Sequence, residues 1–586
     1  MSHRIEFLGK RLRGRFGFPS GVIATNADVA RRMLAHIEAL GFYVGKSTTI
    51  EGTAGYPEDI LSQPTADSLW NAVGYANPGL EATLEGFRSL AASVPDGVFL
   101  MPQIGESTAA RFAHCAAAFD ELGPAVDGIE LNLSCPHADR AGILIGSDPT
   151  SVREIVSAAR EATSKPLVVK INAGVSDVLS VSRAAVEAGA DALSLVNTLG
   201  GPNPELSHGY GGLSGRPLFG VLLDTLETLV GELEVPVIAM GGVRSAADVR
   251  RIDRLAPGAP IGIGSALAEL DSAAIVEYFD ALSRDLEQGG DSAVQLIEGK
   301  QALAYTPYVV SQKRTLGEDL AVLQFREALP AHPGQFVFVK TAADQAKPYS
   351  VASPGTVAGL EILVRAVGPA SRALAAAEPG TVLRIRGPYG REFSFPRGAP
   401  VVFVGAGCGI APILRAAESH DGPKRFALGT RSVGHTAFLD RIEKLGKVVL
   451  ATDDGSSGLQ GVAADALAHL LEEKQPAPGT VFYNCGPEIV LAQVDEIERQ
   501  YTSPDRIYHV VERITACGIG ICGKCATPEG LRVCVDGPVF SAEQFAPLRY
   551  SRDKLGAVVP LGEGPKACPP ARGRSGRGGL QQGGKT

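Results

Sequence analysis

Four cysteines crowd one short stretch, Cys517, Cys522, Cys525 and Cys534, in a C-x4-C-x2-C-x8-C spacing with Gly518, Gly520 and Gly523 between them. Four thiolates in that plant-ferredoxin-like opening, on backbone bare enough to wrap inorganic sulfide, fit a [2Fe–2S] cluster and one-electron transfer. The spacing also admits structural zinc, whose sites more often show paired C-x2-C knuckles. A further thiol, Cys135, stands in the polar loop Ser134-Cys135-Pro136-His137, where an accessible thiolate can act as a base. Lys46-Ser47, Asn132, Lys170 and Asn197-Thr198 each close an apolar run. Lysines suit the electron-rich edge of a reduced flavin, and the asparagines offer the mixed donors and acceptors that a pyrimidine-like ring pairs with. Gly241-Gly242 and Gly264-Ser265 are small enough for their N–H groups to face the phosphate of a flavin such as FMN.

The elements that must position these groups alternate. Eight short apolar runs, Gly21–Ala24, Phe42–Lys46, Val98–Ile104, Gly128–Leu133, Leu167–Ile171, Ala192–Val196, Pro236–Ala239 and Pro260–Ile263, are separated by amphipathic helical stretches. Eight such units within residues 1–287 predict an α/β TIM barrel, with its chemistry at the C-terminal strand ends. Residues 288–300, with Gly289-Gly290, read as a linker. From 301 to 396, short strands broken by Gly and Pro predict a small antiparallel β-barrel. From 397 to 510 the β-α pattern returns, and strand Val401–Val404 feeds Gly405-Ala406-Gly407-Cys408-Gly409, a dinucleotide-phosphate geometry. Residues 511–560 form the small cluster domain, and 561–586, rich in Gly, Pro and Arg, form a disordered tail.

Composition excludes other classes. A net charge of −9 provides no basic field for nucleic acid, and 45% hydrophobic against 20% charged residues describes a chain with ample cores. No signal-like or ~18-residue apolar run appears, so a cytoplasmic protein without a membrane partner is expected.

Asn71-Ala72-Val73-Gly74-Tyr75-Ala76-Asn77-Pro78-Gly79, Asn132-Leu133-Ser134-Cys135-Pro136, Gly211-Gly212-Leu213-Ser214-Gly215 and Met240-Gly241-Gly242-Val243 resemble the motifs of class 1 dihydroorotate dehydrogenases. That resemblance implies that Lys46, Asn71, Asn132 and Asn197 contact a pyrimidine, with Val73, Gly74, Tyr75, His137 and Thr198 beside them. It makes Cys135 the base and gives Lys46 a share in catalysis. Ser47, Lys170, Gly215, Gly241, Gly242, Gly264 and Ser265 would hold FMN. The second half is similar to the ferredoxin-reductase type of flavoprotein, on Lys347-Pro348-Tyr349-Ser350, the Gly405–Gly409 loop and Cys485-Gly486-Pro487. The likeness gives FAD to Lys347, Pro348, Tyr349, Ser350 and Gly387, and FAD or NAD to Gly405, Gly407, Gly409, Cys485 and Gly486. Thr452-Asp453-Asp454-Gly455 and Glu512–Phe540 resemble the electron-transfer subunit of the NAD-linked dihydroorotate dehydrogenases. The two halves thus look like both subunits of one enzyme in a single chain. It would oxidise dihydroorotate over FMN, with Cys135 taking the C5 proton, and pass electrons through the cluster and FAD to NAD+. Dimers through the barrels are implied.

Two positions depart from the pattern. His137 stands where these dehydrogenases have Asn, and Ser-Cys-Pro-His is similar to dihydropyrimidine dehydrogenases, which opens the alternative of a dihydrouracil-type substrate or another cyclic enamide. Lys347 replaces the usual Arg, keeping a positive charge without the planar fork. A rival of another class makes the second half an electron-delivery module for an external partner, docked on a non-catalytic barrel. Cys115, Cys408 and Cys568 fit no motif.

Overall fold

The computed structural model describes residues 4–56, 59–133, 145–175, 177–298, 303–341, 346–352 and 359–546, and two short strands beyond them, Tyr550–Arg552 and Val558–Pro560. Eight parallel strands close a barrel in the order Phe16–Phe18, Leu40–Thr48, Phe99–Ile104, Ile129–Asn132, Leu167–Ile171, Ala192–Leu195, Val237–Met240 and Ile261–Gly262. The apolar runs are buried on both faces, as strands inside a shell of helices must be. Helices start where short polar side chains cap them: Asn26 accepts from the Val29 N–H, Asp148 from Thr150 and Ser151, and Ser245 forms a capping box with Asp248.

The first strand is a correction. It is Phe16–Phe18, not Gly21–Ala24, because Gly21 and Ile23 both adopt left-handed backbone at φ 74° and 63°, which no strand tolerates. The 21–24 stretch is instead a loop at the barrel mouth. The sequence also gave no sign of a four-stranded antiparallel sheet over that mouth, built from Leu199–Pro202, Tyr210–Gly215, Ser68–Asn71 and Leu61–Ser62. The 288–300 stretch is structured where described: Ser292–Gln295 is a short helix tied to Asp285, with Ala293 and Ile297 buried in the barrel core.

The second half opens with six antiparallel strands, from Thr306–Leu316 to Val382–Tyr389, curled so that a bridge between Val351 and Ile362 joins the edges. A seven-stranded sheet follows, parallel except for its last pair. Val401–Ala406 lies at its centre, beside Lys424–Thr430 on one side and Val481–Cys485 on the other. That reversal of strand order is where open α/β sheets bind ligands, and it brings Gly405 into register with Cys485.

The thiol segment docks on the barrel. Ile23 donates its N–H to the Ile521 carbonyl at 3.1 Å, and Glu269 to that of Ile519 at 2.9 Å. Gly523 passes so close to Thr25 that a β-carbon there would stand 1.6 Å from the Thr25 hydroxyl oxygen. One apolar core runs from barrel residues such as Phe18 and Ile263 through Ile519, Ile521 and Val511 to Phe338 of the antiparallel barrel. A protease cut engineered between Glu298 and Leu303 should therefore leave two fragments that co-elute in gel filtration at micromolar concentration; separate elution would contradict this shared core.

Candidate active site and redox centres

The barrel strands deliver Lys46, Ser47, Asn132, Lys170, Asn197 and Thr198 to one cavity at their C-terminal ends. The covering sheet adds Asn71 and Gly215, the loop after it Val73 and Tyr75, and the last two strands Gly241, Gly242, Gly264 and Ser265, all on the same wall. Gly74 is not on that wall; it turns behind it in left-handed backbone, against Tyr56. Cys135 and His137 lie outside the described residues.

The polar groups form a connected set. Asn197 donates to the Asn132 carbonyl oxygen at 3.1 Å, Asn132 to Ser47 Oγ at 3.2 Å, and Asn71 to the Gly212 carbonyl at 3.2 Å. Gln103 accepts from Ser20 at 2.8 Å and from Ser47, and its amide donates to the fully buried Glu130. The other Glu130 oxygen has no hydrogen-bond partner among the described residues. Lys170 Nζ lies 4.0 Å from Glu130 and 3.2 Å from Met240 Sδ, so a buried carboxylate supports a buried ammonium at the cavity floor. Withdrawal from water pushes the half-buried Lys46 down to about 8, an effect opposed by the Cys522 thiol and reinforced by Lys524. Sequence reasoning missed Gln103 and Glu130. Both are polar residues inside apolar strands, and that was the available signal. Two lysines, three amides and a glycine-lined end are a donor set that fits a phosphorylated flavin.

A second cavity, of about 720 Å³, is lined by Lys347, Pro348, Tyr349, Ser350 and Cys485, together with Cys408 and Arg365. Gly405, Gly407, Gly409, Gly387 and Gly486 are not on its wall. The Gly407–Gly409 turn leads into helix Ile410–Ser419, whose N-terminal N–H groups suit a phosphate. The cavity thus offers three positive side chains, Lys347, Arg365 and Arg513, the aromatic rings of Phe336 and Tyr349, and a helix N-terminus to a dinucleotide. Burial pushes the Tyr349 hydroxyl up to about 12 and the Cys408 thiol up to about 11, so both are neutral at physiological pH.

The four thiols of the 517–534 segment are all buried. Cys525 and Cys534 sulfurs are 3.4 Å apart, Cys517 is in hydrogen-bond contact with Cys522 and Cys534, and the Gly520 N–H points at Cys534 Sγ from 3.2 Å. Among the described residues no group of three or more His, Cys, Asp or Glu is spaced as the ligand set of a metal ion. What fits a thiolate-bound cluster is the chemistry of the donors, four buried sulfurs with a main-chain N–H already directed at one of them. The segment stands between the cavities: Ile521 lines the first, while Thr515 and Val533 line the second.

Comparison with known proteins matches residues 3–286 to the dihydroorotate dehydrogenase family, 307–393 to an oxidoreductase FAD-binding domain, and 512–546 to the iron–sulfur cluster binding domain of dihydroorotate dehydrogenase B. The dihydroorotate dehydrogenase B (NAD(+)) catalytic subunit of Pyrococcus abyssi is 33% identical over 302 residues, 50% of this chain and 97% of that protein. A protein of Methanopyrus kandleri, named as a probable electron transfer subunit of the same enzyme, is 37% identical over 248 residues, 41% of this chain and 91% of that protein. The chain belongs to the dihydroorotate dehydrogenase B family. It joins in one polypeptide the equivalents of the catalytic and electron-transfer subunits, as a flavin- and iron–sulfur-dependent oxidoreductase. Its family modules for FAD, the cluster and NAD occupy the second half, and the residues around the second cavity and the thiols belong to them.

Within the dihydroorotate dehydrogenase B barrel, Gly242 adopts φ 72°, and a β-carbon there would stand 2.7 Å from the Gly215 carbonyl oxygen. Gly242→Ala is expected to cost the full chain about 1–3 kcal/mol of stability. Thermal unfolding of the unaltered and substituted chains checks it.

Proposed function

We propose that this chain oxidises dihydroorotate to orotate and delivers the electrons to NAD+. The observation that carries the reading is the placement of one buried thiol segment against both cavities, so that a single chain holds a substrate site, a dinucleotide site and the groups for a redox centre between them. FMN in the barrel and FAD in the module, when bound, supply hydride chemistry, and a [2Fe–2S] cluster supplies single-electron transfer between them.

The chain's own residues then have distinct tasks. Asn71, Asn132 and Asn197 present amide donors and acceptors to the ring of the pyrimidine, and Val73, Tyr75 and Thr198 border it. Lys46 holds a positive charge at the substrate. Cys135 takes the proton from the substrate carbon next to the one that loses hydride. Lys170, beside Glu130, would offset the negative charge of a reduced flavin, and the Gly241, Gly242, Gly264 and Ser265 backbone would hold its phosphate. Ser47 is fixed by Gln103 and in turn fixes Asn132. Lys347 and Ser350 would bind FAD with Pro348 and Tyr349, and Cys485, Gly486 and the Gly405–Gly409 loop would hold the nicotinamide dinucleotide. Pairing of two copies through their barrels and a cytoplasmic setting complete the reading. Among the described residues no helix is long and apolar enough to cross a membrane.

An anaerobic spectrum tests this. Dihydroorotate should bleach the flavin bands and added NAD+ should then yield NADH, whereas Cys135→Ser should keep its flavin and bleach at least about 100-fold more slowly. Bleaching by dihydrouracil alone would move the substrate to the class that His137 resembles, and undiminished bleaching in Cys135→Ser would remove the thiol from the mechanism.

A further inference from the structure

Arg386 is a buried guanidinium, 6% exposed, on the Val382–Tyr389 strand of the FAD-binding barrel. Its two amino groups donate across the domain boundary, to the Cys517 carbonyl at 3.1 Å and the Ala516 carbonyl at 3.4 Å, and one also meets the Tyr389 hydroxyl at 2.9 Å. The rings of Phe338, Tyr389 and Tyr305 surround it, with centroids 4.2, 5.2 and 5.3 Å from the guanidinium carbon. Among the described residues it forms no direct ion pair with a carboxylate; Tyr305, beside it, donates to Asp59 at 3.1 Å.

That is an unusual cost for the fold to carry. A buried charge normally comes with an opposite charge, and an arginine cannot escape by losing its proton. The buried arginine of the thiol segment itself obeys the rule: Arg532, fully buried, donates to the Gly520 and Leu270 carbonyls and lies 3.5 Å from Asp536. Arg386 has carbonyls, rings and hydroxyls, which lower the cost without cancelling the charge. The Asp59 carboxylate, reached only through Tyr305, is already paired with Lys340, and what Arg386 itself holds is the carbonyl of Cys517, the first of the four thiols. Deprotonated and bound to iron and sulfide they carry net negative charge, and each added electron increases it.

We propose that Arg386 is the countercharge of the redox centre held by Cys517, Cys522, Cys525 and Cys534, and that by favouring the reduced, more negative form it raises the reduction potential of that centre from the FAD side. Arg386 is a positioning residue; it touches the carbonyl of a ligand, not the sulfurs. The inference rests on the reading that the four thiols hold a [2Fe–2S] cluster. Hydrogen bonding and nearby charge are among the established levers on such potentials.

The test is a potentiometric titration of the full chain, followed by electron paramagnetic resonance of the reduced cluster and by flavin absorbance. Arg386→Gln should lower the cluster's reduction equilibrium about tenfold, about 59 mV for one electron, while the FMN bleaching by dihydroorotate keeps its rate. Arg386→Lys, which keeps the charge, should stay within threefold of the unaltered chain. A shift below threefold or an upward shift in Arg386→Gln overturns the proposal. If that variant loses its cluster, a tenfold or larger fall in Arg386→Lys overturns it instead, since the charge is still there. An unaltered chain with no cluster signal would overturn the cluster reading together with the proposal, whereas a cluster whose potential ignores Arg386 overturns the proposal alone.

Discussion

The architecture turns on how a segment too small to have a core of its own is held in place. Residues 511–546 carry four thiols, with four left-handed glycines among them, in a stretch of only 36 residues. Such a stretch cannot bury enough surface to fold by itself. It is fixed by main-chain bonds from Ile23 and Glu269 to the Ile521 and Ile519 carbonyls, and by inserting Ile519 and Ile521 into the barrel's core. Each such side chain contributes roughly 1.5–3 kcal/mol on burial. The same segment presents its other side to the FAD-binding barrel through Arg386 and Phe338. The redox groups are therefore fixed relative to both cavities by the packing that folds the segment.

Burial of charge follows the same logic on both sides of that segment. At the barrel floor Glu130 and Lys170 are withdrawn from water together, with Gln103 satisfying one carboxylate oxygen and joining the pair to Ser47 and Asn132. A polar network of this kind is costly if any member is removed, and it fixes the amides that a planar ligand needs. The site gains geometry from groups that add little to stability. Across the segment, the module places a buried cation where negative charge is to be stored.

Much of this was legible in the sequence, for physical reasons that can be named. Seven of the eight barrel strands coincide with apolar runs because strands buried on both faces have no polar alternation to blur them. The first did not, since Gly21–Ala24 is apolar for another reason: Ile23 is buried against the thiol segment, a contact 498 residues away in sequence (521 − 23) that no local pattern encodes. The strand-end lysines and asparagines converge on one cavity as their positions implied. The covering sheet was invisible because its strands are two to six residues long and rich in glycine. Arg386 carried no signal at all. An arginine in a strand reads as exposed, and only the tertiary fold reveals that it is buried against a cysteine carbonyl.

The central claim is that both sites and the centre between them work within one chain. Mixing two variants tests it most directly: Cys135→Ser, lacking the base, and Cys522→Ala, lacking one cluster thiol but still bleached by dihydroorotate. The account predicts that the mixture shows no more dihydroorotate-dependent NADH formation than the two variants measured apart. Recovery of turnover on mixing would show electrons crossing between chains and would contradict it.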